Sequence, residues 1–223
     1  MNADLQAVLD QVFAEDSALY QDRGFQRRVG FGKHPALVII DLANAWTRPG
    51  HAFTCEGMDR IIPGVQTLLQ AFRAKGYPIV YTTTAYDVTE GQHTDMGLWH
   101  RKIPVETLKT GSPAVAIDDR IAPQADELVI VKKRASAFHG TYLSGYLKSA
   151  GVDTVIVTGV TACACVRNTV EDALAEGFRP IAVRDCIGDR IAGAVAWNLF
   201  DIDAKFGDVE SLETVLEYLR RNE

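Results

Sequence analysis

The chain has 223 residues, 47% of them apolar, and a formal net charge of −6, with a pI near 5.4. That length fits one large domain or two small ones, and the composition excludes a disordered, collagen-like or linker-like chain. The acidic balance lacks the basic face that nucleic acid requires. No apolar run, Ala36 to Ile40 included, approaches the roughly 18 residues of a membrane span.

The stretch from Met1 to Glu15 is polar and acidic, without a leader-type apolar segment, so a cytoplasmic protein is expected. Leu5, Val8, Leu9, Val12 and Phe13 recur at helical spacing and predict a short amphipathic helix. Gly24, Gly30 and Gly32 then break the pattern. Residues 1 to about 30 therefore read as an appended arm, and 31–223 as one domain.

From Pro35 the pattern is regular. Ala36-Leu-Val-Ile-Ile40 is the unbroken apolar run of a strand buried on both faces. Ile61 to Lys75 is a helix closed by Gly76. Pro78 to Thr84 is a second strand and Leu128 to Val131 a third. Between them, Asp87 to Asp126 is weakly patterned and rich in Gly and Pro, so long loops over the active face are expected there. Tyr142 to Ala150 is a helix, Thr154 to Thr158 a strand, Cys165 to Glu176 a helix and Pro180 to Val183 a fifth strand. Ala192 to Asp203 and Ser211 to Arg220 are further helices. Strands alternating with helices predict a three-layer α/β/α domain with a mainly parallel central sheet.

In such a sheet, ligands bind beyond the carboxyl ends of the strands. Asp41, Lys132 and Cys165 fall at such ends. Singly, each has a plainer use: an Asp there caps the next helix, a Lys is a solvated charge, and a Cys is a small buried apolar residue. Together on one edge they form a coherent chemical group. A helix N-terminus and an ammonium favour the thiolate. A carboxylate beside them takes the thiol proton and returns it to a leaving group. Backbone N–H groups near Gly159 to Thr161 and at Cys165 are placed to hold an oxyanion. Four cysteines (Cys55, Cys163, Cys165 and Cys186) are too few and too irregular for a disulfide scaffold. Cys163, two positions before Cys165, reads as a small buried side chain. No Gly-x-Gly-x-x-Gly follows the first strand, which disfavours a dinucleotide-binding oxidoreductase.

Leu37-Val-Ile-Ile-Asp41, Lys132-Lys-Arg-Ala-Ser-Ala-Phe138 and Gly159-Val-Thr-Ala-Cys-Ala-Cys-Val166 resemble the three signature segments of the isochorismatase-like cysteine hydrolases. The resemblance runs from about Gly30 to Leu219. Asp95 to Trp99, Ile117 to Pro123, Ile187-Gly-Asp-Arg190 and Trp197 to Ser211 are most similar to the carbamoylsarcosine amidohydrolase branch, and less closely to the maleamate amidohydrolases. The resemblance implies Asp41, Lys132 (rather than Lys133) and Cys165 (rather than Cys163) as catalytic residues. It implies a cis peptide between Val160 and Thr161, an oxyanion hole from the Thr161 and Cys165 N–H groups, and Arg190 as a clamp for a substrate carboxylate. An arginine suits that role because its planar fork meets a carboxylate with two parallel bonds. It implies a homotetramer acting on a small carboxylate substrate by amide hydrolysis. The Asp-x-His-x-His metal pattern of related nicotinamidases is missing after Asp41, so no metal or cofactor is expected. His93 and His100 read as loop residues. A non-catalytic binding module of the same fold is the remaining alternative.

Overall fold

Ala36-Leu-Val-Ile-Ile40 has no polar position because it lies at the centre of a sheet covered on both faces. In the computed structural model, which describes residues 3–89, 92–93 and 95–222, the elements run in the order that the alternating pattern predicts. Helix α1 (Ala3–Asp22) precedes β1 (Pro35–Ile40), the one-turn α2 (Asn44–Thr47), α3 (Met58–Lys75) and β2 (Ile79–Thr84). The two-residue strands β3 (Val88–Thr89) and β4 (Gln92–His93) form a small antiparallel pair. Then come β5 (Leu128–Lys132), α4 (Leu143–Ser149), β6 (Thr154–Val160), α5 (Arg167–Ala175) and β7 (Arg179–Gly188). The chain ends with α6 (Ala192–Lys205), β8 (Asp208–Glu210) and α7 (Leu212–Arg221).

The main sheet has six strands in the order β5-β2-β1-β6-β7-β8, all parallel. Alternate β1 side chains point to opposite faces. Leu37 and Ile39 pack with α3 and α7 through Leu68, Leu69, Phe72 and Val215. Val38 and Ile40 pack with α4, α5 and α6 through Leu147, Val170 and Ile202. The chain builds outward from β1 to β2 and β5 on one side, and from β6 to β7 and β8 on the other. The order therefore reverses between β1 and β6, where parallel sheets open a ligand crevice.

Four differences from the sequence expectation have local causes. The sheet gains a sixth strand, β8, too short and polar (Asp208-Val-Glu210) to show an apolar pattern. Strand β7 runs on to Gly188, past a register shift against β6 between Val157 and Gly159. The first helix is not short: α1 has 20 residues and lies on α6, with Phe13 stacked on Phe200 (centroids 4.8 Å apart). Met1, Asn2, the Leu5 side chain, Gly91 and the His93 side chain lie outside the described residues.

The fourth difference concerns Asp87 to Asp126, which is folded rather than simply looped. Four short 3-10 turns occur there, from Gly97–Arg101 to Asp119–Ile121. Asp118, fully buried, pins the end of the segment. Its N–H donates to the Leu42 carbonyl (3.0 Å), and its carboxylate accepts from Thr47 (2.5 Å), Arg48 (3.1 Å) and Arg120 (2.6 and 2.9 Å). Burial alone would raise its pKa. The bonds from Arg120 and Thr47 and the Arg120 charge outweigh that and hold the carboxyl well below the usual range.

Candidate active site

Strand register builds the site. Thr84 lies directly opposite Lys132 at the ends of β2 and β5. Ile40 lies opposite Gly159, and Val160 opposite Gly188. Lys132, Thr84, Asp41, Thr161 and Arg190 thus form a row along the carboxyl edge of the sheet.

Asp41 and Lys132 are both fully buried and paired, with Lys132 Nζ 2.7 Å from Asp41 Oδ2. Lys132 Nζ also donates to Thr84 Oγ1 (2.7 Å), the Arg134 carbonyl (3.1 Å) and Cys165 Sγ (3.3 Å). An ammonium has only protons to give, so the Thr84 hydroxyl must turn its own proton to Asp41 Oδ2, 3.1 Å away. Thr82 donates to the other carboxylate oxygen at 2.9 Å. Asp41 is left-handed, with φ 49°, a conformation that Asp tolerates better than most residues. It is no helix cap; that position before α2 belongs to Ala43. Lys133 points elsewhere, pairing with Asp95 at 2.6 Å.

Cys165 does not open a regular helix. It sits in a wide turn, Ala162–Val166, that leads into α5. There the Ala164 and Val166 N–H groups both donate to the Thr161 carbonyl (3.1 Å each). The Cys163 N–H donates to Asp189 Oδ2 (3.0 Å), and the Cys165 N–H takes no part in these bonds. The peptide between Val160 and Thr161 is cis. Burial pushes the Cys165 thiol up to about 12, a shift that the Lys132 charge opposes and the Asp41 carboxylate reinforces. A thiol so raised needs a base, the part that the sequence reading gives to Asp41. For Lys132, burial alone would lower the pKa, but the Asp41 carboxylate and the Cys165 sulfur hold it above its ordinary value. Cys163 is exposed rather than buried.

Cys165, Lys132 and Thr84 lie in a cavity of about 170 Å³ that Arg190 also lines. That is smaller than the roughly 300–1,000 Å³ of sites for drug-sized ligands. Trp46, Phe53, Tyr86 and Trp99 supply aromatic wall. The Arg190 N–H donates to Asp189 Oδ1 (2.7 Å), while its guanidinium has no ion-pair partner among the described residues. Sequence reasoning missed Thr82, Thr84, Asp189 and the aromatic wall. The one available signal was the run Thr82-Thr-Thr84, whose alternate hydroxyls must share a face in a strand.

A model of the isochorismatase domain matches residues 35–214. The chain belongs to the isochorismatase family. An N-carbamoylsarcosine amidase from an Arthrobacter species is 57% identical over 222 residues, covering 98% of this chain and 84% of that protein. A maleamate amidohydrolase from Pseudomonas putida is 39% identical, covering 87% and 91%. Among solved structures, a cysteine hydrolase from Pseudomonas syringae pv. phaseolicola superposes with a TM-score of 0.81 at 24% identity, covering 89% and 98%. With its six-stranded parallel sheet, this isochorismatase-family chain shares the fold of that hydrolase.

The buried thiols of this family member carry a stability prediction. Burial pushes Cys55 and Cys186 up from an ordinary 9.0 to about 12. Between about pH 9 and 12 the unfolded chain sheds protons that the folded chain keeps, so stability falls as pH rises. Two thiols give a slope of about 3 kcal/mol per pH unit. The urea midpoint is expected to be flat near neutrality and to drop above about pH 9. A midpoint that holds or rises there contradicts the burial.

Proposed function

We propose that this chain is an amidohydrolase that converts N-carbamoylsarcosine to sarcosine, carbon dioxide and ammonia. The observation that carries the reading is one small cavity lined by a thiol, the ammonium that touches it and an arginine without an ion-pair partner among the described residues. Asp41 takes the Cys165 proton, and Lys132 holds both groups in register. The thiolate attacks the ureido carbonyl while the Thr161 and Cys165 N–H groups receive the oxyanion. As the C–N bond breaks, Asp41 returns the proton and ammonia leaves. Water then cleaves the thioester-type intermediate, freeing the thiol and an N-carboxy product that loses carbon dioxide. Arg190 grips the substrate carboxylate throughout.

Ammonia release from a panel containing N-carbamoylsarcosine and maleamate tests the substrate. Turnover of the ureido compound is expected. Turnover of maleamate alone would replace the reading with that of a plain amide hydrolase, and release from neither would leave the binding-module alternative. A bidentate, charge-assisted contact contributes roughly 2–3 kcal/mol. Arg190→Ala should therefore raise KM by about 30- to 150-fold, with a smaller effect on kcat. An unchanged KM would remove the clamp role.

The working unit is a homotetramer in this reading. Val129 and Val131 on edge strand β5, and Ile191 and Trp197 at α6, are apolar and exposed in the single chain. Light scattering should give four chains per particle; a monomer at micromolar concentration would refute it. In this reading residues 1–30 are an arm that α1 lays on α6, and 31–223 are the catalytic domain. A cytoplasmic setting is supported by four free cysteines. No described helix is long and apolar enough to cross a membrane.

A further inference from the structure

Asp189 is a buried carboxylate, 4% exposed, for which the mechanism has no use. It forms no ion pair among the described residues; instead it accepts two backbone N–H groups. Oδ2 takes the Cys163 N–H at 3.0 Å, and Oδ1 takes the Arg190 N–H at 2.7 Å. The first belongs to the turn that carries Cys165 and the second to the residue of the carboxylate clamp. Its own carbonyl accepts from the Glu56 N–H (3.2 Å). The next residue, Cys55, is tied to the Trp46 carbonyl (2.8 Å) in the cavity wall.

We propose that Asp189 is a positioning residue that fixes the Cys165 turn and the Arg190 clamp to one another. The inference rests on the amidohydrolase reading above. A turn entering a helix has several N–H groups without an acceptor of their own. Asp189 occupies the one at Cys163, the Thr161 carbonyl takes those at Ala164 and Val166, and the one at Cys165 stays outside the set. The carboxylate thereby sets which N–H of the turn faces the substrate. Through its second oxygen it sets how far Arg190 stands from the sulfur. A carboxylate can do this because both its oxygens only accept. The amide of Asn would turn an NH2 group towards one of the two N–H donors.

The test compares Asp189→Asn, Arg190→Lys and Asp208→Asn with the parent protein. Asp208 serves as the control. It too is buried and accepts two backbone N–H groups, from Val29 (3.0 Å) and Gly30 (2.8 Å); it also pairs with Arg28 at 3.5 Å, and it lies at β8, outside the cavity lining. With N-carbamoylsarcosine at a temperature where all variants are folded, Asp189→Asn should lower kcat at least tenfold and raise KM at least threefold. Arg190→Lys should move mainly KM, and Asp208→Asn neither. Amide hydrogen exchange, which needs no substrate, should quicken at least tenfold in residues 161–166 of Asp189→Asn, while β1 stays protected. Unchanged exchange in that turn overturns the proposal, even if the parent turns over no panel compound. Parent turnover with an Asp189→Asn effect on KM alone, or on melting alone, also overturns it. A parent without turnover, beside quickened exchange in the turn, overturns the amidohydrolase reading and leaves the tethering by Asp189 standing.

Discussion

Cys165→Ala is expected to abolish ammonia release, lowering kcat by at least about 10⁴-fold, because Cys165 is the one thiol among the described residues that lines the cavity. The fold should survive, since a small side chain replaces a small side chain. Its thermal midpoint should stay near that of the parent or rise, because the Lys132 ammonium keeps the Asp41 and Thr84 acceptors. Ammonia release within tenfold of the parent would mean that Cys165 is not the nucleophile. The exposed Cys163 is the natural competitor. Its N–H is engaged by Asp189, and its sulfur meets the Thr161 hydroxyl at a long 3.8 Å and the Asp189 carboxylate. Cys163→Ser should therefore keep most of the activity.

Gly159→Ala should produce the largest loss of stability. Gly159 has φ 109°, which side-chain-bearing residues rarely adopt. A Cβ there would meet Ile40 N at 2.7 Å and Ile40 C at 2.8 Å, with the Ile40 carbonyl oxygen closer still. These are backbone atoms of the central strand, so nothing yields cheaply. The expected cost is about 4 kcal/mol or more, which lowers the melting midpoint of a chain this size by roughly 8–16 °C. Asp41 follows Ile40 directly, so any relief of the clash displaces the proposed base, and activity should fall with stability. A variant with the parent's melting midpoint would show that β1 and β6 separate freely there.

The central strand and the three chemical residues could be read from the chain because each rests on local pattern. Ala36 to Ile40 is apolar on both faces, and Asp41 and Lys132 stand where apolar runs stop. The topological rule for parallel sheets then puts such residues on one edge. What stayed hidden depends on pairings distant in sequence. The Thr82 and Thr84 hydroxyls matter only once β2 lies between β1 and β5. Asp189 matters only once β7 runs past its register shift to reach the Cys165 turn. The cavity walls from Trp46, Phe53 and Trp99 come from segments without a periodic signal. How far burial raises the Cys165 thiol could not be read from its sequence neighbours. The Lys132 charge does favour a thiolate, but burial outweighs it.

The central claim is covalent amide hydrolysis at Cys165. Acid-quenching the enzyme during turnover of N-carbamoylsarcosine, then mapping the Cys165 peptide by mass spectrometry, tests it most directly. The predicted result is an adduct on Cys165 equal in mass to the substrate less ammonia, present in the parent and in Cys163→Ser and missing in Cys165→Ala. Steady ammonia release with no adduct on Cys165, or with the adduct on Cys163, would contradict the account.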